Sequence, residues 1–312
     1  MISPQPLVSV IVNNYNYDCY LPEAIDSAIN QTYPRTEIIV VDDGSTDKSQ
    51  QIITSYQDKV IPIFKENGGQ ASAFNAGFAV SQGEIICLLD SDDVWLPQKV
   101  EQVVEAALAY PQAAVIYHRV QNINQIGLPT GKPWPPYKVI KKNIASQVAK
   151  TGGWWPFPPS TGLSFTRRFL SQIMPIPATE YRLCADTYLA DLAPFFGEVI
   201  GIELALSQYR IHNANNWSNS LNKQLRDLQF HELRVKILNQ ILKKSGINVE
   251  VNLAEHLPYQ RLKYKTGEEK IPFKLSKLAW KNPWEFRPTS RLKAVYQLWS
   301  ELPKIWKLNP KD

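Results

Sequence analysis

The chain has 312 residues, 44% hydrophobic, 20% charged and 11% aromatic, with a formal net charge of +5. That composition supports one large core, or a main domain with a smaller attachment, and excludes a disordered chain. The three cysteines, Cys19, Cys87 and Cys184, stand far apart with no CxxC or Cys/His cluster. This argues against a disulfide framework or a zinc site and fits a reducing cytoplasm.

No charged-then-apolar leader pattern opens the chain, and no apolar run reaches the ~18 residues a bilayer span needs. Any membrane contact is therefore expected to be peripheral, on the inner face. The charge is uneven. From Tyr259 to Asp312, 13 Lys and Arg stand against 5 Asp and Glu. This stretch also carries Trp280, Trp284, Trp299 and Trp306. Such a mix suits an anionic lipid surface, and equally a helical extension packed on the body with its lysines outward. No nucleic-acid-binding pattern accompanies it, so no nucleic-acid partner is expected.

In chain order, Leu7 to Val12 reads as a buried strand, followed by a helix from Pro22 to Asn30. Glu37 to Val41 is a second strand, ending in Asp42 and Asp43, and a helix runs on to about Tyr56. Val60 to Phe64 is a third strand. After the turn Asn67-Gly68-Gly69, a small-residue helix spans Gln70 to Val80. Glu84 to Leu89 is a fourth strand and runs straight into Asp90, Ser91, Asp92 and Asp93. A helix from Lys99 to Tyr110 and a strand from Ala114 to Tyr117 complete the alternation. This order predicts an α/β fold with a mostly parallel sheet, helices on both faces, and a ligand beyond the strands' carboxyl ends.

From Gln121 to Pro159 the chain is rich in Pro, Gly, Lys and Trp and reads as an irregular excursion. A short strand follows at Ser160 to Phe165, then a helix at Ala185 to Phe196 and strand-like character from Ile200 to Tyr209. Leu221 to Lys244 is an amphipathic helix with Leu225, Leu228, Leu233, Ile237, Leu238 and Leu242 on one side.

Asp90, Asp92 and Asp93 place three carboxylates within four residues. Their mutual repulsion calls for a cation between them, and hard oxygen ligands suit Mg²⁺ or Mn²⁺ beside substrate phosphates. The plain alternative is a solvated acidic turn. Asp42 or Asp43 can accept a hydrogen bond from a base N–H, or merely hold the next turn. Trp154 and Trp155 can line an acceptor subsite by stacking on sugars, or fill a core.

The runs Val8 to Asn16, Leu21 to Tyr33 and Glu37 to Asp47 resemble the opening of the family 2 inverting glycosyltransferases. Asn67 to Gly69, Asn75 to Gly77, Gly83 and Leu88 to Trp95 continue the likeness in order, over about residues 6–220. The resemblance implies the GT-A fold, a Rossmann-like sheet flanked by helices, here with a C-terminal helical extension. It implies a nucleotide-sugar-binding half at 1–120 and an acceptor half at 121–220, together a domain of 1–220, with a basic, Trp-rich extension at 221–312.

Carried over by position, Asn13 and Tyr15 fall where the family contacts the base, and Asp43 where it bonds uracil, with Asp42 beside it. Asp90-Ser91-Asp92 resembles the DxD motif. Asp92 would be the main metal ligand, with Asp90 or Asp93 on ribose or the ion's water shell, and His212 near the diphosphate or metal. Asp186 falls on the catalytic base, which takes the acceptor proton in a single displacement. It is also placed to be a helix cap.

Two departures stand out. Phe74 replaces a common Arg, so a phosphate or structural contact is either missing or supplied by Lys65 or Arg167, and Ala185 replaces a Glu. The expected activity is metal-dependent transfer from a nucleotide-sugar, with UDP expected, to a glycan, polysaccharide or lipid-linked acceptor. The competing reading is a non-catalytic nucleotide-sugar-binding or regulatory protein on the same fold. A nicotinamide dehydrogenase is excluded, because Asn13 to Tyr17 stands where GxGxxG is needed.

Overall fold

The computed structural model describes residues 2–212, 221–265, 272–282, 284, 291–292 and 295–296. Two compact units emerge: residues 1–143 with 157–215, and residues 144–156 with 216–312.

The first unit is built on strands β1 (Val8–Asn14), β2 (Thr36–Asp42), β3 (Ile61–Phe64), β4 (Ile85–Asp90), β5 (Val94–Trp95), β6 (Ala113–Ile123), β7 (Lys141–Lys142), β8 (Leu163–Thr166) and β9 (Glu198–Arg210). They form one sheet in the order β3-β2-β1-β4-β8-β6-β9-β5, with β7 on β9. The β3-β2-β1-β4 segment is parallel, as the alternation predicts. β8 is antiparallel to both β4 and β6, so the whole sheet is mixed. A four-residue strand carries no signal of its own direction, which is why the sequence reading did not anticipate this.

Helices α1 (Leu21–Ile29), α2 (Ser49–Ser55), α3 (Gln70–Val80) and α4 (Lys99–Ala109) connect the parallel strands. β1 lies centrally, and its run of Val and Ile is buried on both faces, as a covered parallel strand requires. Leu21, Ala24, Ile25 and Ala28 of α1 and Val100, Val103 and Ala107 of α4 join Val8, Val10, Val12, Val40 and Leu89 in one core. On the opposite face α3 comes so close that a Cβ on Gly77 would meet Ile11 Cγ2 at 2.6 Å. The helix α5 (Ala145–Lys150) falls in the second unit, while α6 (Arg167–Ile173) and α7 (Ala185–Phe196) belong to the first.

The second unit contains α8 (Leu221–Lys244), α9 (Leu257–Lys265) and α10 (Pro272–Lys281) besides α5. Leu228, Leu238 and Leu242 are buried as the helical pattern requires, together with Val235. The side chain of Leu225 lies outside the described residues. The Asn239 side chain pairs with both backbone groups of Val251 at 2.9 Å. The half-buried imidazole of His231 and the buried one of His256 lie with ring centroids 4.7 Å apart.

The excursion at 121–159 is divided between the units, with Trp154 and Trp155 in the second. Trp155 is fully buried, so neither ring face is offered to a sugar: it is core, not platform. Trp154 is partly buried, and its carbonyl accepts from Trp284 Nε1 at 3.2 Å. Trp284 is likewise buried rather than interfacial. Trp299 and Trp306 lie outside the described residues. Among the described residues, no helix is long and apolar enough to cross a membrane.

Candidate active site

β1, β2 and β4 end on one rim because they are parallel neighbours in register: Asn13 pairs with Val41 and Asp90, and Asn14 with Asp42. The polar clusters of three separate segments thus meet at the carboxyl edge of the sheet, where such sheets take ligands.

Asp42 is buried and committed to structure. It accepts from Asn14 Nδ2 at 2.8 Å, Ser45 N at 3.1 Å and Gln50 Nε2 at 3.3 Å. Asp43 is also buried. It forms an ion pair with Lys65 at 2.6 Å and accepts the N–H groups of Gly68 at 3.0 Å and Gly69 at 2.6 Å. A carboxylate offers about four lone-pair directions, so Asp43 can still receive a donor, whereas Lys65 is already engaged. Tyr15, just past β1, is 47% exposed and presents an aromatic face at the rim. An open cleft is lined by Gly44, Ser45, Gln50, Phe64, Lys65, Glu66 and Asn67.

Asp90 accepts from Asn13 Nδ2 at 3.4 Å, Gln70 Nε2 at 3.2 Å and Ser160 Oγ. Burial of its carboxylate, then the neighbouring charge of Asp92, push it up to about 7; Asp186 raises it further, while Ser160 and Asn13 pull it down. Ser91 is buried, and its N–H donates to the Asn13 carbonyl at 3.1 Å. Asp92 Oδ2 lies 3.0 Å from His212 Nε2. Asp93 is fully buried. Its Oδ1 accepts the Arg210 N–H at 2.8 Å, and its Oδ2 has no hydrogen-bond partner among the described residues. Burial, then Asp92 and Asp90, hold Asp93 well above the usual carboxylate range.

His212 is fixed by two tyrosines: Tyr20 stacks on it at 5.2 Å and Tyr17 meets it edge-on at 5.4 Å. Arg210 locks the same corner, donating from Nε to the Asp92 carbonyl at 2.9 Å and from Nη2 to Glu23 at 2.5 Å. Trp95 is buried beside the cluster, donating to Thr161 Oγ1 at 3.0 Å, with Lys99 Nζ 3.2 Å from its ring centre.

The donor set fits a hard divalent cation. Two raised carboxyls and an orphaned buried oxygen mark a site short of positive charge. Among the described residues no three His, Cys, Asp or Glu side chains converge to enclose an ion. A metal here would rest on Asp92 and His212 and complete its shell with diphosphate oxygens and water.

Asp186 stands at the second position of α7, where its Oδ1 accepts the Thr187 N–H at 2.8 Å, and its charge is felt at Asp90. Helix α7 begins at Ala185 with Cys184 at its N-cap, so Asp186 lies within the first turn and is not the cap. Arg167 is tied to Gly83 and Ser81 and so is not the replacement cation. Phe74 is core.

Residues 9–172 match the sequence model of Glycosyl transferase family 2. The chain belongs to that family. A glycosyltransferase of Nostoc sp. of uncharacterized function is 36% identical over 266 residues, covering 82% of each chain. The hyaluronan synthase of Pasteurella multocida is 36% identical over 149 residues, 46% of this chain and 15% of that one. The fold is GT-A. Staphylococcus aureus TarS residues 1–349, solved with UDP, superposes with a TM-score of 0.59 at 17% identity, covering 96% of this chain and 91% of that one. The mannosyltransferase PcManGT of Pyrobaculum calidifontis, solved with GDP-Man and Mn²⁺, gives 0.50 at 17% identity, covering 97% and 78%.

Sequence reasoning passed over Gln70, Tyr17, Tyr20 and Arg210. Arg210 lies between the strand read to Tyr209 and His212, but its grip on Asp92 is invisible without the β9–β5 pairing. Gln70 carries no local signal at all.

Proposed function

We propose that this glycosyltransferase is metal-dependent and inverting. It would move a sugar from a nucleotide-sugar, with UDP as the expected nucleotide, to a glycan, polysaccharide or lipid-linked acceptor. The observation that carries this is the bridge made by Gln70 from Asp90 Oδ1 at 3.2 Å to the Ala185 N–H at 3.0 Å, which sets the first turn of α7, and Asp186 with it, against the carboxylate cluster where Asp92 meets His212. The complexes of TarS with UDP-GlcNAc and of PcManGT with GDP-Man and Mn²⁺ support a nucleotide-sugar donor.

In this reading residues 1–120 hold the donor and 121–220 present the acceptor, with 221–312 as the extension. The base stacks at Tyr15 and Asn13 and donates its N–H to Asp43. Asp90 and Ser91 lie along the ribose and diphosphate, and Asp92 and His212, with Asp93 toward the water shell, would hold the cation. Mn²⁺ or Mg²⁺ bound there would place positive charge against the diphosphate as it leaves. Asp186 takes the proton of the acceptor hydroxyl while that oxygen bonds to the anomeric carbon. The carbon–diphosphate bond breaks on the opposite side, so the configuration inverts without a covalent enzyme intermediate.

A peripheral contact with an anionic membrane fits α10. Phe273 and Trp280 are 74% and 47% exposed, and Lys277 between them is exposed too. Leu275 and Ala279 are buried.

Asp186→Asn tests the base. It is expected to bind nucleotide as the intact chain does and to lose about 100-fold or more in sugar transfer. Transfer at the intact rate would overturn the assignment.

A further inference from the structure

Gln70 opens α3 and stands between the donor-side carboxylates and the helix carrying Asp186. Its Nε2 donates to Asp90 Oδ1 at 3.2 Å, and its Oε1 accepts the Ala185 N–H at 3.0 Å. Its backbone N–H donates to the Arg182 carbonyl at 2.7 Å. The first N–H groups of a helix have no partner within it. Cys184, at the N-cap of α7, offers no side-chain cap, so Gln70 supplies one from another helix.

The turn before Gln70 makes the same connection. Gly68 and Gly69 donate to Asp43, while Arg182 Nη2 donates to Asn67 Oδ1. Gly69 has a φ of +86°, and a Cβ there would lie 2.4 Å from both the Cγ and the carbonyl oxygen of Arg182. This segment binds a donor-side carboxylate on one flank and the approach to α7 on the other.

We infer that Gln70 is a positioning residue: its single amide ties Asp90 to the first turn of α7 and so sets where Asp186 stands relative to the donor. This rests on Asp186 acting as the base. Asp186 accepts from its own helix at Thr187 N, so its carboxylate moves with that first turn. Releasing the turn shifts the base while leaving Asp43, Asp92 and His212 in place. A shift of about 1 Å at such a group costs on the order of 100-fold in turnover. Nucleotide affinity should change little.

Gln70→Ala and Gln70→Glu are compared with the intact chain by two readouts. One is amide hydrogen exchange at Ala185. The other is release of nucleoside diphosphate from UDP-GlcNAc and from GDP-Man in the presence of Mn²⁺. Gln70→Ala is expected to speed Ala185 exchange about 10-fold or more. It should lower kcat about 100-fold, with the donor KM within about threefold. Gln70→Glu keeps an acceptor for Ala185 but loses the donor to Asp90, so its turnover should recover as pH falls and the new carboxyl regains a proton. If Gln70→Ala does not fold, the isosteric Gln70→Glu carries the test.

Unchanged Ala185 exchange, or unchanged kcat with faster exchange, would overturn the assignment. If the intact chain turns over neither donor, either its donor is another nucleotide-sugar or the transferase reading falls, and Ala185 exchange still decides whether Gln70 holds α7.

Discussion

Gly69→Ala, set beside Gly131→Ala, separates two costs that usually come together. Both glycines have positive φ, +86° and +64°. A side chain at such positive φ costs about 1–3 kcal/mol, and Gly69, with a ψ of 175°, sits in the extended part of that region that essentially only glycine adopts. At Gly131 a new Cβ meets nothing within 4 Å among the described residues. At Gly69 it would lie 2.4 Å from the Arg182 carbonyl oxygen, a backbone atom that Gln70 N–H also engages. Forcing it apart adds about 1–3 kcal/mol of overpacking. Gly131→Ala should therefore destabilise by about 1–3 kcal/mol and Gly69→Ala by about 2–6 kcal/mol. Urea unfolding followed by tryptophan fluorescence measures both. The Gly69 variant should also weaken nucleotide binding, because Gly69 N–H donates to Asp43. Equal destabilisation by the two variants would show that Arg182 yields freely, and the clamp described for this turn would be wrong.

Acid should loosen the second unit. Burial, then Arg234, push His231 down to about 3, while burial, then His231, hold His256 well below its ordinary value. Unfolding therefore takes up protons below about pH 6.5, and stability present above that pH is lost as pH falls toward 3. At pH 5, His231 alone removes about 2 kcal/mol, so Tm should fall between pH 7.5 and 5, and His231→Gln should flatten that dependence. An unchanged slope would refute the neutral imidazole. Replacing Phe273 and Trp280 by serine should cut co-flotation with phosphatidylglycerol vesicles by about 10-fold or more, given the apolar area each aromatic can bury. Equal flotation of variant and intact chain would remove α10 as the contact.

The half of the fold that positions the donor was legible because covered parallel strands are written as unbroken Val/Ile/Leu runs. Each run here ends in polar residues, so even the rim could be placed from Asn13, Asp43 and Asp90. The antiparallel β8 and the two-residue β5 were not legible, since their pairing is decided by partners far away in sequence. Asp42 looked like a ligand residue and proved to be held by Asn14, Ser45 and Gln50. Trp155 looked like a platform and is core, because hydrophobic area alone does not say which side of a surface it serves. Gln70 and Arg210 act through contacts spanning 115 and 118 residues, which no local pattern encodes.

The most direct test of the central claim is calorimetric titration of the purified chain with UDP, GDP, dTDP and CDP, with and without Mn²⁺, beside Asp92→Ala. One nucleotide should bind, its binding should need the metal, and Asp92→Ala should abolish the metal-dependent part. Failure of all four to bind the intact chain with Mn²⁺ present would contradict the claim. So would metal-dependent binding that survives in Asp92→Ala.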